Sequence, residues 1–239
     1  MIPFLALLLP LAAAAPNPAD IHPGPVVQWK PGDGGNGHFY QAVSVDPGNG
    51  ISWTDANAYA QGRQGYLATI ASQNENDFVF ALIDDAKYWR LTSTGRYLMG
   101  PWLGGSRTPG SKDPKTNWSW AKKDEAFSYS NWSPGQPDNS DGHEDSLEFY
   151  SINPSTRSPQ WNDTDTDNPK KGFIIEFDRD PRPPPPGAPI EPIGSRSSPL
   201  FLPLAAASAL AVLILLIGLF IFLARRPRKS DRDQPPFLD

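Results

Sequence analysis

The chain has 239 residues, 28 of them Pro and none Cys, with 21 basic and 26 acidic side chains for a net charge of -5. Without Cys there are no disulfides, thiolate zinc sites, iron-sulfur clusters or cysteine nucleophiles, and the mild acidity argues against a nucleic-acid partner, which would want a basic face. Two uncharged apolar runs, a Pro-rich segment and a short tail leave about 165 residues, enough for one well-buried core.

Residues 1–15 place Phe4, Leu5, Leu7, Leu8, Leu9 and Leu11 ahead of four alanines. This is the layout of a secretory signal peptide with an A-x-A cleavage site, although no Lys or Arg precedes the apolar stretch; the alternative is an uncleaved N-terminal anchor. Residues 16–37 are rich in Pro and Gly and are expected to be mostly irregular. From His38 the pattern changes. Residues 38–45 (HFYQAVSV) alternate and carry β-branched and aromatic side chains, which predicts a strand. Residues 52–63 read as a helix capped by Ser52, with Asp55 three residues on and Ala56, Tyr59 and Ala60 on one face. YLATI (66–70) predicts a short strand. Ser72 with Glu75 repeats the capping box and opens a second helix to about residue 82, whose apolar face is Phe78, Val79 and Leu82. After Trp102-Leu103-Gly104 about 60 residues read as loop, dense in Trp, Asn, Asp, Ser, Gly and Pro, until GFIIEF (172–177) gives a closing strand.

That loop carries the chemistry. Residues 138–167 hold eight acids (Asp138, Asp141, Glu144, Asp145, Glu148, Asp163, Asp165, Asp167) against one base, Arg157. Converging carboxylates repel one another unless a cation neutralises them. Carboxylate and amide oxygens without Cys or a His cluster select a hard cation, and a loop-borne ligand set suits Ca2+ better than Mg2+. A solvated acidic loop is the competing reading of the composition alone. Glu144 and Glu148 also invite comparison with the carboxylate pair of a glycosidase. However, Glu148 alternates with Leu147 and Phe149 as a strand residue does, no nucleophile elbow, phosphate loop or zinc motif occurs, and His22, His38 and His143 are scattered, so no enzyme is expected.

Near the other end, residues 181–199 contain eight prolines and are expected to form an extended stalk, up to about 55 Å long. Residues 204–224 have only Ser208 as a polar side chain and would span about 31 Å as a helix, the thickness of a bilayer core. A single transmembrane helix is therefore expected within residues 200–224. Arg225, Arg226, Arg228 and Lys229 follow at once and mark its cytoplasmic side, leaving 225–239 as a cytoplasmic tail and residues ~16–199 outside the cell membrane. Extracytoplasmic domains usually use disulfides, so a chain without Cys is expected at a bacterial surface or in a periplasm, with the sequons at Asn117, Asn131 and Asn162 there by chance.

Between residues 38 and 178 the pieces resemble the C-type lectin-like domains. The resemblance rests on the order of the two capped helices around YLATI, Trp102-Leu103-Gly104-Gly105, the Trp118 and Trp120 pair, Asn131-Trp132, Gln136-Pro137-Asp138, Glu144-Asp145, Trp161-Asn162-Asp163 and GFIIEF. It implies an α+β double-loop domain with two helices and small antiparallel sheets, whose long loop holds Ca2+ and ligand. The cysteine pairs that close that double loop in the family are replaced by Ala60 with Ile175 and by Ser146 with about Thr166. The resemblance also implies a principal calcium site of Gln136, Asp138, Glu144, Asn162 and Asp163 around a cis Pro137, with coordination places left for sugar hydroxyls. A second, auxiliary calcium site is degraded, because Arg107 stands where an acid is expected, although Asn139 and Asp145 remain. Trp118, Trp120 and Trp132 are expected to pack in the core.

Within the family, Gln-Pro-Asp at the site resembles galactose binders and Glu-Pro-Asn mannose binders, so a weak galactose-type preference is expected. The Trp and Gly-rich insertion of galactose-selective members are absent after the motif, and His143 is the only ring in the following Asn139-Ser140-Asp141-Gly142-His143. The expected function is calcium-dependent carbohydrate binding by a single-span surface lectin. The alternative is a module of the same fold that binds protein or serves in surface assembly, with calcium only as a brace.

Overall fold

The computed structural model describes Asn17 and residues 20–183, apart from Pro47, Asn49 and Lys112. The expected signal peptide, the stalk beyond residue 183, the span at 200–224 and the tail lie outside the described residues. Among the described residues no helix is long and apolar enough to cross a membrane.

One mixed sheet, almost wholly antiparallel, organises the domain. Its strands are β1 (Ile21–Gln28), β2 (Phe39–Val45), β3 (Tyr66–Leu67), β4 (Arg90–Leu91), β5 (Leu98–Arg107), β6 (Trp118–Trp120), β7 (Ser146–Ser151), β8 (Gln160–Thr164) and β9 (Gly172–Phe177). The path runs β1-β2-β9-β5-β7-β8, with β3 on β9 and both β4 and β6 on β5. The parallel element is the pairing of β5 with β9 at Trp102 and Phe173. Two helices, α1 (Trp53–Gly62) and α2 (Gln73–Ile83), complete an α+β fold.

Both helices begin where the sequence places their caps. Ser52 Oγ accepts the Asp55 N–H at 3.1 Å, and Ser72 Oγ accepts the Glu75 N–H at 3.2 Å. Each bond satisfies a backbone donor that the first turn leaves without a partner. Glu75 turns back to take the Ala71 N–H at 2.7 Å, one residue before the cap. Ala56 and Ala60 of α1 are buried against Val43, Leu67, Trp102, Phe173 and Ile175. Val79 and Ile83 of α2 belong to a second cluster with Leu103, Trp120, Leu147, Phe149 and Trp161. Gly104 sits where β5 passes β3: a Cβ there would collide with the Leu67 carbonyl oxygen.

Three expectations are corrected. Residues 16–37 are not irregular throughout, since residues 21–28 form β1 and pair with β2 through a register shift between Pro23 and Val26. Proline is admitted because β1 is an edge strand, where a missing N–H costs least. YLATI is a strand only at Tyr66 and Leu67, because the Thr69 N–H goes to the Glu176 carboxylate at 2.8 Å instead of to a neighbouring strand. The long stretch after Gly104 is not loop throughout: it supplies β6, β7 and β8. All six residues of β7 are buried, polar ones included. Leu147, Glu148 and Phe149 alternate as in a half-exposed strand, yet both faces are buried.

The positions where the resemblance puts cysteine pairs are filled in two ways. Ala60 and Ile175 are fully buried in one apolar cluster. Ser146 Oγ lies 2.8 Å from Thr166 Oγ1, a hydroxyl pair.

Candidate functional site

The stretch between β6 and β7 returns to the body of the domain at two points. Trp132 bridges to Trp161 of β8, and the Trp161 N–H and carbonyl bond Asn131 O and the Ser133 N–H at 2.9 and 2.8 Å. Trp118, Trp120, Phe127, Tyr129, Trp132 and Trp161 pack ring against ring, with neighbouring centroids as close as 4.7 Å for Trp120 and Phe127. The three indoles singled out in the sequence therefore build the platform under the loop. From that platform the loop enters Gln136-Pro137, whose peptide is cis.

Two bonds set the loop against β8 and two more brace the loop within itself. Asp163 accepts the N–H groups of Asp138 at 3.1 Å and Asn139 at 2.8 Å, one on each carboxylate oxygen. The Ser140 N–H goes to Glu144 Oε2 at 2.6 Å, and the Glu144 N–H to Asn139 Oδ1 at 3.0 Å. Asn139 and Asp141 adopt left-handed backbone conformations to make the turn, a region that Asn and Asp tolerate better than most residues.

The result is an acidic centre. Asp138, Glu144 and Asp163 bring one carboxylate oxygen each to within 4.8 Å of one another. Burial, and then the charges of Asp163 and Asp138, push the Glu144 carboxyl up to about 8. Burial also raises Asp163, against the two N–H bonds that lower it. Gln136 Oε1 is buried without a hydrogen-bond partner, an acceptor whose desolvation nothing in the protein offsets. Three carboxylates and an unspent amide oxygen form a donor set for a hard cation.

Gln136, Asp138, Glu144 and Asn162 line an open depression of about 360 Å³, while Asp163 is fully buried behind them. The structure thus brings together all five residues expected to hold calcium. His143 is exposed in the turn and is not part of that lining.

Arg107 stands where the resemblance expects an acid of the auxiliary calcium site. Its side chain is buried, with Nη2 2.9 Å from Asp145 Oδ1 and 3.2 Å from the Glu144 carbonyl, and Nη1 donates to Ser111 O at 3.0 Å. A guanidinium holds Asp145, and Asn139 spends its side-chain oxygen on the Glu144 N–H.

Sequence reasoning missed the support beneath Asn162. Its Nδ2 donates to Glu148 Oε1 at 3.0 Å, and Glu148 Oε2 lies 2.9 Å from Lys170 Nζ, both side chains almost wholly buried. Lys170 is held in turn by Thr164 Oγ1 at 3.3 Å and stands 4.7 Å from the centre of the Trp102 ring. Burial pushes Glu148 up and Lys170 down, and each charge offsets the shift of the other. With its amide nitrogen spent, Asn162 keeps its carbonyl oxygen as a donor atom for a cation. An acid inside an apolar strand is the signal that could have found the pair, because a buried carboxylate calls for a buried base. The far wall, with Thr92, Tyr97, Met99 and Tyr150, had no signal in the sequence.

An α+β domain whose long loop folds back to gather carboxylates and amides over a sheet is a binding module. The pattern of the family described as Lectin C-type domain matches residues 49–174, just over half of the chain. The protein belongs to the C-type lectin domain family, whose members are non-enzymatic carbohydrate-binding domains and typically bind Ca2+.

Among its relatives, the chain is similar to a perlucin-like protein of Mytilus galloprovincialis, 31% identical over 126 residues that cover 53% of this chain and 70% of that protein. It is likewise similar to perlucin of Haliotis laevigata, 31% identical over 54% of this chain and 72% of the relative. Against human C-type lectin domain family 10 member A it is 31% identical over 48% of this chain, but spans only 30% of that protein's length.

Proposed function

We propose that the protein is a calcium-dependent carbohydrate receptor with a galactose-type preference, anchored by a single span with its lectin domain outside the membrane. The observation that carries the calcium reading is the convergence of Asp138, Glu144 and Asp163 beside the unspent oxygen of Gln136. These residues and Asn162 would hold the ion. When bound, it offers coordination places to a pair of sugar hydroxyls, and the same carboxylates and amides take the hydroxyl hydrogen bonds. The galactose preference rests on the Gln136-Pro137-Asp138 order. Exchanging acceptor and amide leaves the charge on the ion unchanged but reverses which side of the site donates. The placement outside a membrane rests on the signal-like first residues and on the basic cluster after residue 224, and the absence of Cys supports a bacterial surface as its setting.

Inhibition of glycan binding by galactose and by mannose, with calcium and then with chelator, tests the reading on the full chain. Galactose should inhibit the more strongly, chelator should abolish binding, and the double change Gln136→Glu with Asp138→Asn should shift the preference toward mannose. Equal inhibition by both sugars before and after the change defeats the galactose assignment, and binding indifferent to chelator defeats the calcium one. The alternative, a protein-binding or surface-assembly module braced by calcium, is favoured by one feature: both oxygens of Asp163 already tie down the loop backbone. It gains if calcium raises the melting temperature while no glycan binds.

A further inference from the structure

The depression over the carboxylates does not end at the calcium ligands. It adjoins a second one of about 460 Å³, and the two share Thr92, Met99 and Asn168 as a common border. The second part is completed by Arg90, Leu91 and Ser93. Its wall is the turn between β4 and β5, fixed by the Thr92 N–H to Tyr97 O at 2.9 Å, the Gly95 N–H to Thr92 O at 2.9 Å and the Tyr97 N–H to Thr92 Oγ1 at 3.3 Å. Tyr97 leans on Tyr150 with ring centroids 5.6 Å apart and keeps part of its face open at the rim of the first part.

The two parts differ in charge. Acids line the first: Asp138, Glu144 and Glu148. The ionisable residue lining the second is Arg90, whose Nη2 donates to Asn168 Oδ1 at 3.1 Å. That bond uses one of the five N–H donors of a guanidinium. Leu91 beside it is 48% exposed, an apolar surface that suits the C–H face of a sugar ring.

We propose that this second depression is a saccharide subsite that takes an acidic sugar residue linked to the one held at the carboxylate cluster, its anion received by Arg90. The assignment rests on the sugar-binding reading above and extends it to at least a disaccharide. Continuity with the first depression fixes the occupant as the next unit of the same glycan. Charge complementarity fixes its chemistry, because a guanidinium fork matches a carboxylate or a sulfate ester. Both anions offer the same oxygens, so they are separated by experiment.

The test measures binding of the full chain, in calcium, to galactose, to lactose, to lactose whose glucose unit is oxidised to glucuronic acid, and to lactose sulfated on glucose O6. All three disaccharides keep the terminal galactose unchanged. Either or both acidic forms should bind about tenfold more tightly than lactose, equivalent to about 1.4 kcal/mol, and whichever gains names the anion. Arg90→Gln should bring that ratio close to one. Ser93→Glu, an exposed change that sets a like charge beside the anion, should do the same and decides the matter if Arg90→Gln does not fold. Equal binding of lactose and both acidic forms, with galactose still bound, overturns the subsite and leaves the sugar reading standing. Failure of every sugar to bind overturns both.

Discussion

The domain is closed in two places without cysteine, and the two closures use opposite physics. Beneath α1 the chain packs Ala60 and Ile175 into a dry cluster with Trp102, Phe173 and Leu67. Around the long loop, above the aromatic platform, it adds polar groups: the Ser146–Thr166 hydroxyl pair, the Glu148–Lys170 ion pair and the bonds from Asp163 to the loop backbone. Apolar packing is indifferent to ions and nearly indifferent to pH. A polar closure responds to both, so the half of the molecule that holds the site is also the half whose stability solution conditions can move.

Breaking the buried ion pair should have the largest effect. Lys170→Met strands Glu148 in the interior and should cost about 3–5 kcal/mol, read from urea unfolding. The double change with Glu148→Leu should recover most of that loss, yet it removes the partner of Asn162 and should weaken calcium binding. A double variant with unaltered calcium affinity would show that the pair does not position Asn162. In the other half, Ile175→Ala should cost about 3 kcal/mol through the cavity it opens. That loss should be the same in calcium and in chelator, because nothing in the cluster touches the acidic centre.

Calcium itself comes next. At a free concentration of 100 times its dissociation constant it should stabilise the fold by about 2.7 kcal/mol, seen as a higher melting temperature, and Glu144→Ala should abolish that rise while the apo protein stays folded. An unmoved melting temperature in the wild type would leave the acidic centre without its ion.

The pH trend follows from the same residue. Glu144 is pushed up to about 8 in the fold, above the value of 4.5 expected of the unfolded chain, so between those limits the folded state binds more protons. Apo stability should therefore fall as pH rises through that window. An ion that takes the place of the proton should reverse the trend, so the thermal shift caused by calcium should grow from pH 5 to pH 8. A shift constant with pH would separate ion binding from the protonation of Glu144. The smallest effect belongs to Ser146→Ala, about 1 kcal/mol for the lost hydroxyl bond, measured by the same urea titration.

The sequence carried most of the fold's skeleton. Ser52 and Ser72 mark their helices because a cap is a local contract between neighbours, and GFIIEF announces β9 because a short apolar and aromatic run, broken only by Glu176, has few other uses. The residues that gather at the acidic centre were legible because they fall in short motifs with a fixed order. What stayed hidden depends on distant partners. Leu147, Glu148 and Phe149 of β7 alternate like a strand, but nothing local says that Glu148 is buried beside Lys170, and β1 reads as irregular because Pro23 and Pro25 disguise an edge strand. The wall made by Thr92 and Tyr97 belongs to a turn whose sequence says only that it turns.

The placement of those two prolines has a consequence for the molecule among its own copies. A sheet edge is an open template on which a neighbour's strand can build, and flat apolar edges seed aggregates. β1 ends the sheet on its side, and at Pro23 and Pro25 it has no N–H to lend to an incoming strand. An incoming strand is thus denied a regular ladder at those two positions of that margin.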